Sequence, residues 1–169
     1  MKITHLTQEQ PMSNHHGARR RSAFLAILVL LAASGSALAH EQSPAERAIE
    51  YRQSVYHVIA WNLAPMGAAM KGKVPYDKDA FALAASRIAA LAPMLPEGFP
   101  AGSYVAGKTD AKPELWQDPA EFARLMKNLA TRSAALAEIA KTGDLEKIRP
   151  AFSDLTNACK ACHEKFRKD

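Results

Sequence analysis

The residues of this sequence best suited to chemistry lie together near its carboxyl end, in the run Cys159-Lys160-Ala161-Cys162-His163. They include both cysteines of the 169-residue chain. Two thiols about one helical turn apart can form thioethers with the two vinyl groups of a porphyrin. A histidine directly after the second thiol can then turn its imidazole onto the iron. The spacing predicts one covalently attached c-type haem, held by Cys159 and Cys162, with His163 as an axial ligand.

Three other uses of paired cysteines compete with haem attachment. A redox-active dithiol is typical of a βαβ unit, and this sequence shows no β-like alternation of useful length. A zinc site needs a fourth ligand, and His40 and His57 are the only other histidines after residue 39. A disulfide across one helical turn closes a very small loop and adds little stability. Haem attachment is therefore the leading interpretation.

The first 39 residues have the three-part layout of a secretory signal peptide. Three arginines, at positions 19–21, precede an uncharged apolar run over residues 23–33, and Ala37-Leu38-Ala39 offers small residues at a cleavage site before His40. The apolar run is short for a membrane span, and no later segment is long enough either. We expect export to the periplasm, where haem can be attached outside the cytoplasm. The mature chain would comprise residues 40–169 and have no membrane span.

The mature chain is nearly neutral. The leader takes four of the 22 basic residues and one of the 17 acidic ones, which leaves a formal charge of +2. No basic stripe is interleaved with aromatic residues, so nucleic-acid binding is not expected. The sequence also lacks an activated nucleophile, paired carboxylates or a phosphate-binding loop, so we do not expect an enzyme.

Turn and capping signals divide the mature chain into four predicted helices, and the mostly short connections favour an antiparallel four-helix bundle. The first begins at Ser43-Pro44 and runs to about residue 71, with Pro65 expected to kink or interrupt it. The second follows Asp77 and ends near residue 95. The third opens at Asp118 with a reciprocal glutamate, and the fourth at Asp144 or, if Pro150 lies in its first turn, a few residues later.

The position of the haem motif, close to the end of an all-helical chain, is similar to that of the cytochrome c′ family. Five further segments resemble segments of that family in the expected order: residues 51–54, 71–77, 97–100, 112–116 and 142–145. The resemblance covers nearly all of the mature chain. It implies a four-helix bundle with one haem, attached at Cys159 and Cys162 and ligated by His163.

The resemblance also implies roles for residues outside the motif. Arg52 and Gln53 match positions that contact the haem and its propionates, Asp110 matches a loop position at the haem edge, and Arg167 matches a basic residue beside the proximal imidazole. Arg52 lies on an apolar stripe of the first helix, and a buried arginine needs a partner anion, which a propionate can provide.

Tyr56 is the residue on which the predicted mechanism depends. It follows Arg52 by four residues, so both face the same way. In the family this position covers the open face of the iron, and related six-coordinate bundle cytochromes place a methionine there. A tyrosine with a pKa near 10 is a poor ligand beside a neutral histidine. We therefore expect a five-coordinate iron, with Met66 and Met70 too far along the helix to bind it.

These features predict a haem protein that binds nitric oxide and carbon monoxide and can transfer single electrons with a partner that the sequence does not identify. A crowded, apolar distal pocket would give little hydrogen bonding to dioxygen. The alternatives are a six-coordinate, low-spin electron carrier of the c556 type and a helical interaction module without haem. The family commonly forms homodimers through its first two helices, and Tyr51, Val55 and Val58 lie on a second face of the first helix that suits such a contact.

Overall fold

The computed structural model describes residues 41–168. Four α-helices carry the fold: α1 (Pro44–Met70), α2 (Lys78–Leu91), α3 (Pro119–Ala140) and α4 (Leu145–Phe166). Two 3-10 helices, Ala92–Gly98 and Pro113–Trp116, lie between α2 and α3. In this part of the chain the only β-type pairing is one isolated bridge between Ala111 and Arg167. The predicted all-α four-helix bundle is confirmed.

Each helix begins at a side-chain cap that the sequence predicts. Ser43 and Glu46 form a complete capping box at the start of α1. Aspartates at positions 77, 118 and 144 accept from backbone N–H groups in the first turns of α2, α3 and α4. The reciprocal half of the box expected in α3 is absent, because the Glu121 carboxylate binds the Arg124 guanidinium instead.

The prolines have less effect on the helices than the sequence suggests. The helix α1 continues through Pro65 and α4 continues through Pro150, so neither proline interrupts or delays its helix. Both prolines are exposed, as are Trp61 and Glu146, whose carbonyls lose a helical partner. Water can solvate those carbonyls. The end of α2 also differs, since the α-helix stops at Leu91 and a 3-10 helix continues to Gly98.

The core is formed mainly by α3, which packs against both α2 and α4. Buried apolar side chains from all four helices supply most of it, and those of α3 include Met126, Ala137 and Ala140. Among the described residues, no helix is long and apolar enough to cross a membrane.

The helices α1 and α4 hardly touch, and this separation defines the site. They meet near one end, where the Arg149 guanidinium donates to the Met70 carbonyl over 2.8 Å. At the same end Phe152 lies close to Gly67. Away from this end, α1 and α4 do not pack closely against each other. The space between them forms a cavity.

Candidate haem site

The cavity between α1 and α4 has a volume of about 540 Å³, within the usual range for a ligand or cofactor site. Its walls are mostly apolar and come from all four helices and from the loop before α3. The apolar side chains that line it include Ile59, Leu63, Ile88, Leu95, Phe99, Leu115, Phe122, Met126, Leu129, Leu155 and Phe166.

The helix α4 presents the two thiols and the imidazole to this cavity. Cys162 is buried, Cys159 is half-buried, and both cysteines are free thiols that line the cavity. Burial raises the pKa of both thiols, that of Cys162 to about 11 with a further contribution from Cys159. Burial, followed by the nearby Arg167 guanidinium, lowers the pKa of His163 below its ordinary value. A neutral imidazole has the lone pair that a metal ligand needs.

Opposite α4, the inward face of α1 carries Tyr56. Its ring meets Phe99 edge-on, with 6.5 Å between the ring centroids. Burial raises the pKa of the Tyr56 phenol, and the two thiols raise it further, Cys162 more than Cys159. Tyr56 on α1 and the two thiols on α4 line the same cavity.

Arg52 is the most deeply placed charge of the site, with a side chain only 2% exposed. Its guanidinium donates to the Gly98 carbonyl at 2.8 Å, to the Ser103 carbonyl at 3.0 Å, and to the hydroxyls of Ser103 and Thr109 at 3.2 and 3.0 Å. It also lies over the Phe99 ring at 4.7 Å. These acceptors are neutral, and no carboxylate among the described residues forms an ion pair with this buried cation.

Gly98 allows this arrangement by its lack of a side chain. A Cβ atom at this position would lie 2.5 Å from the Cβ of Arg52 and 3.1 Å from Cδ1 of Tyr51. The close approach brings the Gly98 carbonyl within reach of the guanidinium. Arg52 thereby ties α1 to the loop that closes one end of the cavity.

The other residues singled out from the sequence also lie around this cavity. Gln53 lines it while donating to the Lys108 carbonyl at 3.1 Å. Asp110 lines it from the loop, and its carbonyl accepts from the backbone N–H of Lys168 at 2.8 Å. Arg167 lines it at the end of α4. All eight predicted site residues therefore border one space, although they come from distant parts of the chain.

Sequence reasoning missed two residues that could matter at this site. Met126 of α3 lines the cavity, four residues after Phe122 and therefore on the same face of the helix. That helical spacing is the signal that could have identified it. His57 also lines the cavity, from the exposed side of α1.

The competing uses of the cysteines receive no support from the described residues. This part of the chain contains no cluster of three or more histidine, cysteine or carboxylate side chains that could hold a metal ion. The motif lies within a helix of a bundle rather than in a βαβ unit.

An apolar cavity with two thiols on one wall fits a covalently attached haem. The His163 imidazole, on the same helix, can ligate an iron, and haem propionates can balance the buried Arg52 charge. The fold and the site together define a haem-binding four-helix bundle.

Comparison with known proteins gives the family. A family model for cytochrome c′ matches residues 47–167. The cytochrome c prime from Shewanella frigidimarina is 41% identical, with a TM-score of 0.73 over 76% of this chain and 100% of that one. By sequence, cytochrome c-554 from Cereibacter sphaeroides is 36% identical over 135 residues, covering 78% of this chain and 88% of that protein. The chain belongs to the cytochrome c′ family, whose members carry a covalently bound c-type haem, and this haem is its cofactor.

Solved relatives also hold gas ligands. A ferrous variant of the cytochrome c prime from Alcaligenes xylosoxidans has bound nitric oxide, and it is 32% identical with a TM-score of 0.69 over 76% of this chain and 99% of that one. Another variant of that protein has bound carbon monoxide. A further cytochrome c′, 32% identical, is described as having an unusual ligand-controlled dimer dissociation.

Proposed function

We propose that this protein is an exported haem protein with a five-coordinate iron that binds nitric oxide and carbon monoxide and transfers single electrons. A bound haem supplies the open axial position for a small gas and the one-electron exchange. The sequence-based prediction, the site geometry and the gas complexes of solved relatives all support this function. The proposal is one of binding and electron transfer rather than of catalysis.

In this proposal α4 holds the haem and sets its proximal side. Cys159 and Cys162 form the thioethers, and His163 is the axial ligand, favoured by the lowered pKa of its imidazole. Arg167 stands beside that imidazole. Arg52, Gln53 and Asp110 border the cavity where the propionate edge is expected, with Arg52 supplying the buried positive charge.

The observation that carries the proposal is the position of Tyr56 across the cavity from the thiols. The phenol is held in its neutral form, which is a poor iron ligand. Its ring is bulky enough to restrict access to the open side of the iron. Met66 and Met70 do not line the cavity, which supports an iron without a methionine ligand from α1.

Absorption spectroscopy and carbon monoxide kinetics test the proposal. We expect a ferric spectrum without the low-spin methionine–iron band, and Tyr56→Ala should speed carbon monoxide association because it removes the covering ring. Tyr104→Ala is the matched control, because Tyr104 is a half-buried tyrosine outside the cavity. An association rate unchanged in Tyr56→Ala would contradict the distal role of Tyr56.

A six-coordinate, low-spin carrier of the c556 type is the second candidate, and Met126 is the observation that favours it. This residue is the one methionine of the described chain that lines the cavity. A thioether band in the ferric spectrum that disappears in Met126→Leu would establish this alternative. A spectrum insensitive to that substitution favours the five-coordinate site.

We also propose a homodimer formed through α1 and α2. The face predicted from the sequence needs correction, because Val55 is buried in the core and the Tyr51 hydroxyl bonds to the Met94 carbonyl and Glu97. Val58 does remain exposed. Three other large apolar side chains of the two helices and the following 3-10 helix are also exposed, namely Trp61, Leu83 and Met94. Such a surface suits a self-complementary contact.

Export to the periplasm completes the proposal. The predicted signal peptide, residues 1–39, and its cleavage before His40 lie outside the described residues. Mass spectrometry of the exported protein gives both its first residue and the mass added by haem.

A further inference from the structure

The positive charge next to the proximal histidine is held in place through its backbone. Arg167 follows His163 by four residues, and its N–H donates to the His163 carbonyl at 3.0 Å. It lies just past the end of α4, where φ of −114° and ψ of 140° make the backbone extended rather than helical. Among the described residues the Arg167 guanidinium has no hydrogen-bond or ion-pair partner. Its position therefore depends on how this short segment is held.

The loop before α3 holds the segment that follows α4. Ala111 and Arg167 form the isolated antiparallel bridge between the two. One backbone hydrogen bond of 2.8 Å flanks the bridge on each side, donated by the N–H groups of Lys112 and Lys168. The backbone of Arg167 is therefore fixed relative to Ala111.

Thr109 fixes Ala111 in turn. The Thr109 side chain is only 8% exposed and borders the cavity. Its hydroxyl oxygen accepts from the Ala111 N–H at 3.2 Å and from the Arg52 guanidinium at 3.0 Å. These two donors occupy both acceptor sites of the hydroxyl. One buried hydroxyl thus joins the buried cation of α1 to the residue that bridges Arg167.

We propose that Thr109 is a positioning residue that holds the Arg167 guanidinium beside the proximal imidazole, through Ala111, and thereby raises the reduction potential of the iron. The proposal rests on the proposed function, in which His163 is the proximal ligand. The charge of Arg167 contributes to the lowered pKa of His163, so it acts on this imidazole. A positive charge near an iron favours its ferrous state, and a guanidinium that moves into solvent is screened and has less effect.

Thr109→Val tests this role, because valine has a similar shape and no hydroxyl. The loop keeps its attachments to α1 through Lys108, so the variant should fold. Potentiometric titration of the haem-loaded protein should give a lower reduction potential, with a smaller downward shift than in Arg167→Gln. Resonance Raman spectra of the ferrous forms should show the iron–histidine stretching frequency displaced in the same direction in both variants. Thr109→Ser keeps the hydroxyl and should restore the wild-type values.

The double variant Thr109→Val/Arg167→Gln separates this role from a direct effect of Thr109 on the haem. Its potential should equal that of Arg167→Gln alone, because the hydroxyl acts through the charge that is missing. Thr142→Val is the matched control. The Thr142 hydroxyl also accepts from an N–H two residues on, that of Asp144 at 3.1 Å, but it lies in the turn between α3 and α4 and outside the cavity. This control should leave the potential unchanged.

The outcomes separate this inference from the proposed function. Additive shifts in the double variant, or a Thr109→Val potential equal to that of wild type, would overturn the role of Thr109. An iron–histidine band in the ferrous wild-type protein would still support His163 as the proximal ligand in that case. Absence of the band from the wild-type protein would overturn both proposals.

Discussion

At the scale of single residues, Arg52 shows how a buried charge can organise a site. Removing a guanidinium from water costs several kcal/mol unless hydrogen bonds and an anion compensate. The protein supplies the hydrogen bonds through the 98–109 segment and the stacking through Phe99. The anion is left to a cofactor with carboxylates. Arg52 therefore links haem binding to the position of the loop.

Truncation of Arg52 should destabilise the protein strongly. In Arg52→Ala the buried acceptors of Gly98, Ser103 and Thr109 lose their donor, so we expect a loss of about 3 kcal/mol in the free energy of unfolding. Arg52→Lys should lose less of the free energy of unfolding, because it keeps the positive charge. It should still lose some, because lysine lacks the planar guanidinium that donates to several acceptors at once. Urea denaturation of the haem-loaded protein measures both.

Arg132→Ala is the matched control for this measurement. Arg132 pairs with Asp154 at 3.0 Å on the surface, with both side chains about half exposed. Such pairs contribute up to about 1 kcal/mol. If Arg52→Ala costs no more than Arg132→Ala, the buried network does not stabilise the fold as we argue.

At the scale of elements, the loop before α3 is held from two sides. On α1, Glu46 binds the Lys108 side chain and Gln53 binds the Lys108 carbonyl. On α4, the Lys112 N–H donates to the Phe166 carbonyl at 2.8 Å. The loop thus bridges the ends of the two helices that the cavity separates. Its attachment at Glu46 depends on charge and therefore on pH.

The pH dependence of that attachment can be predicted. The hydrogen bond from Lys108, followed by those from the backbone and side chain of Ser43, lowers the pKa of Glu46 from an ordinary 4.5 to about 2. A carboxylate with a lowered pKa stabilises the folded state above its unfolded value, and that contribution is lost as the pH falls from about 4.5 to about 2. Glu46→Gln should therefore flatten the decline in stability across this acid range.

Denaturation curves at several pH values across that interval provide the measurement. Lys108→Met should reproduce most of the flattening, because Lys108 is the largest cause of the lowered pKa. Adding it to Glu46→Gln should bring little further change. If the free energy of unfolding of Glu46→Gln falls with decreasing pH as steeply as that of wild type, other groups control the loss of stability in acid.

At the scale of the whole molecule, the bundle combines an internal cavity with several exposed apolar side chains. The helix α3 packs against α2 and α4 on one side of the cavity, while α1, α2 and the 3-10 helix after α2 carry the exposed apolar side chains of Val58, Trp61, Leu83 and Met94. Trp61 is 81% exposed, which is unusual for so large an apolar side chain. The proposed homodimer would cover it.

Substitution of Trp61 tests the proposed dimer. Trp61→Lys should shift the protein toward monomer, because it places a charge in the centre of an apolar contact. Thr131→Lys puts the same charge on the exposed side of α3 and should leave assembly unchanged. Sedimentation analysis of the haem-loaded protein distinguishes the two. A wild-type protein that stays monomeric at high concentration would rule out the dimer.

The sequence by itself determined the elements of this protein and the chemistry of its site. Caps at Ser43, Asp77, Asp118 and Asp144 located the starts of the four helices, because a cap depends on residues only a few positions apart. The spacing of Cys159, Cys162 and His163 predicted the cofactor for the same reason. Pro65 was expected to kink or interrupt α1, and Pro150 left two starting points open for α4; α1 continues through Pro65, and α4 begins directly after its Asp144 cap.

Only the tertiary structure decided what surrounds the haem site. The divergence of α1 and α4, the four hydrogen bonds of Arg52 and the inward position of Met126 all depend on contacts between distant segments. Periodicity shows that a side chain faces inward but not which side chain it meets. The helices bring together residues that are far apart in the sequence. Their packing therefore determines which side chains border the cavity and which hydrogen-bond partners those side chains find.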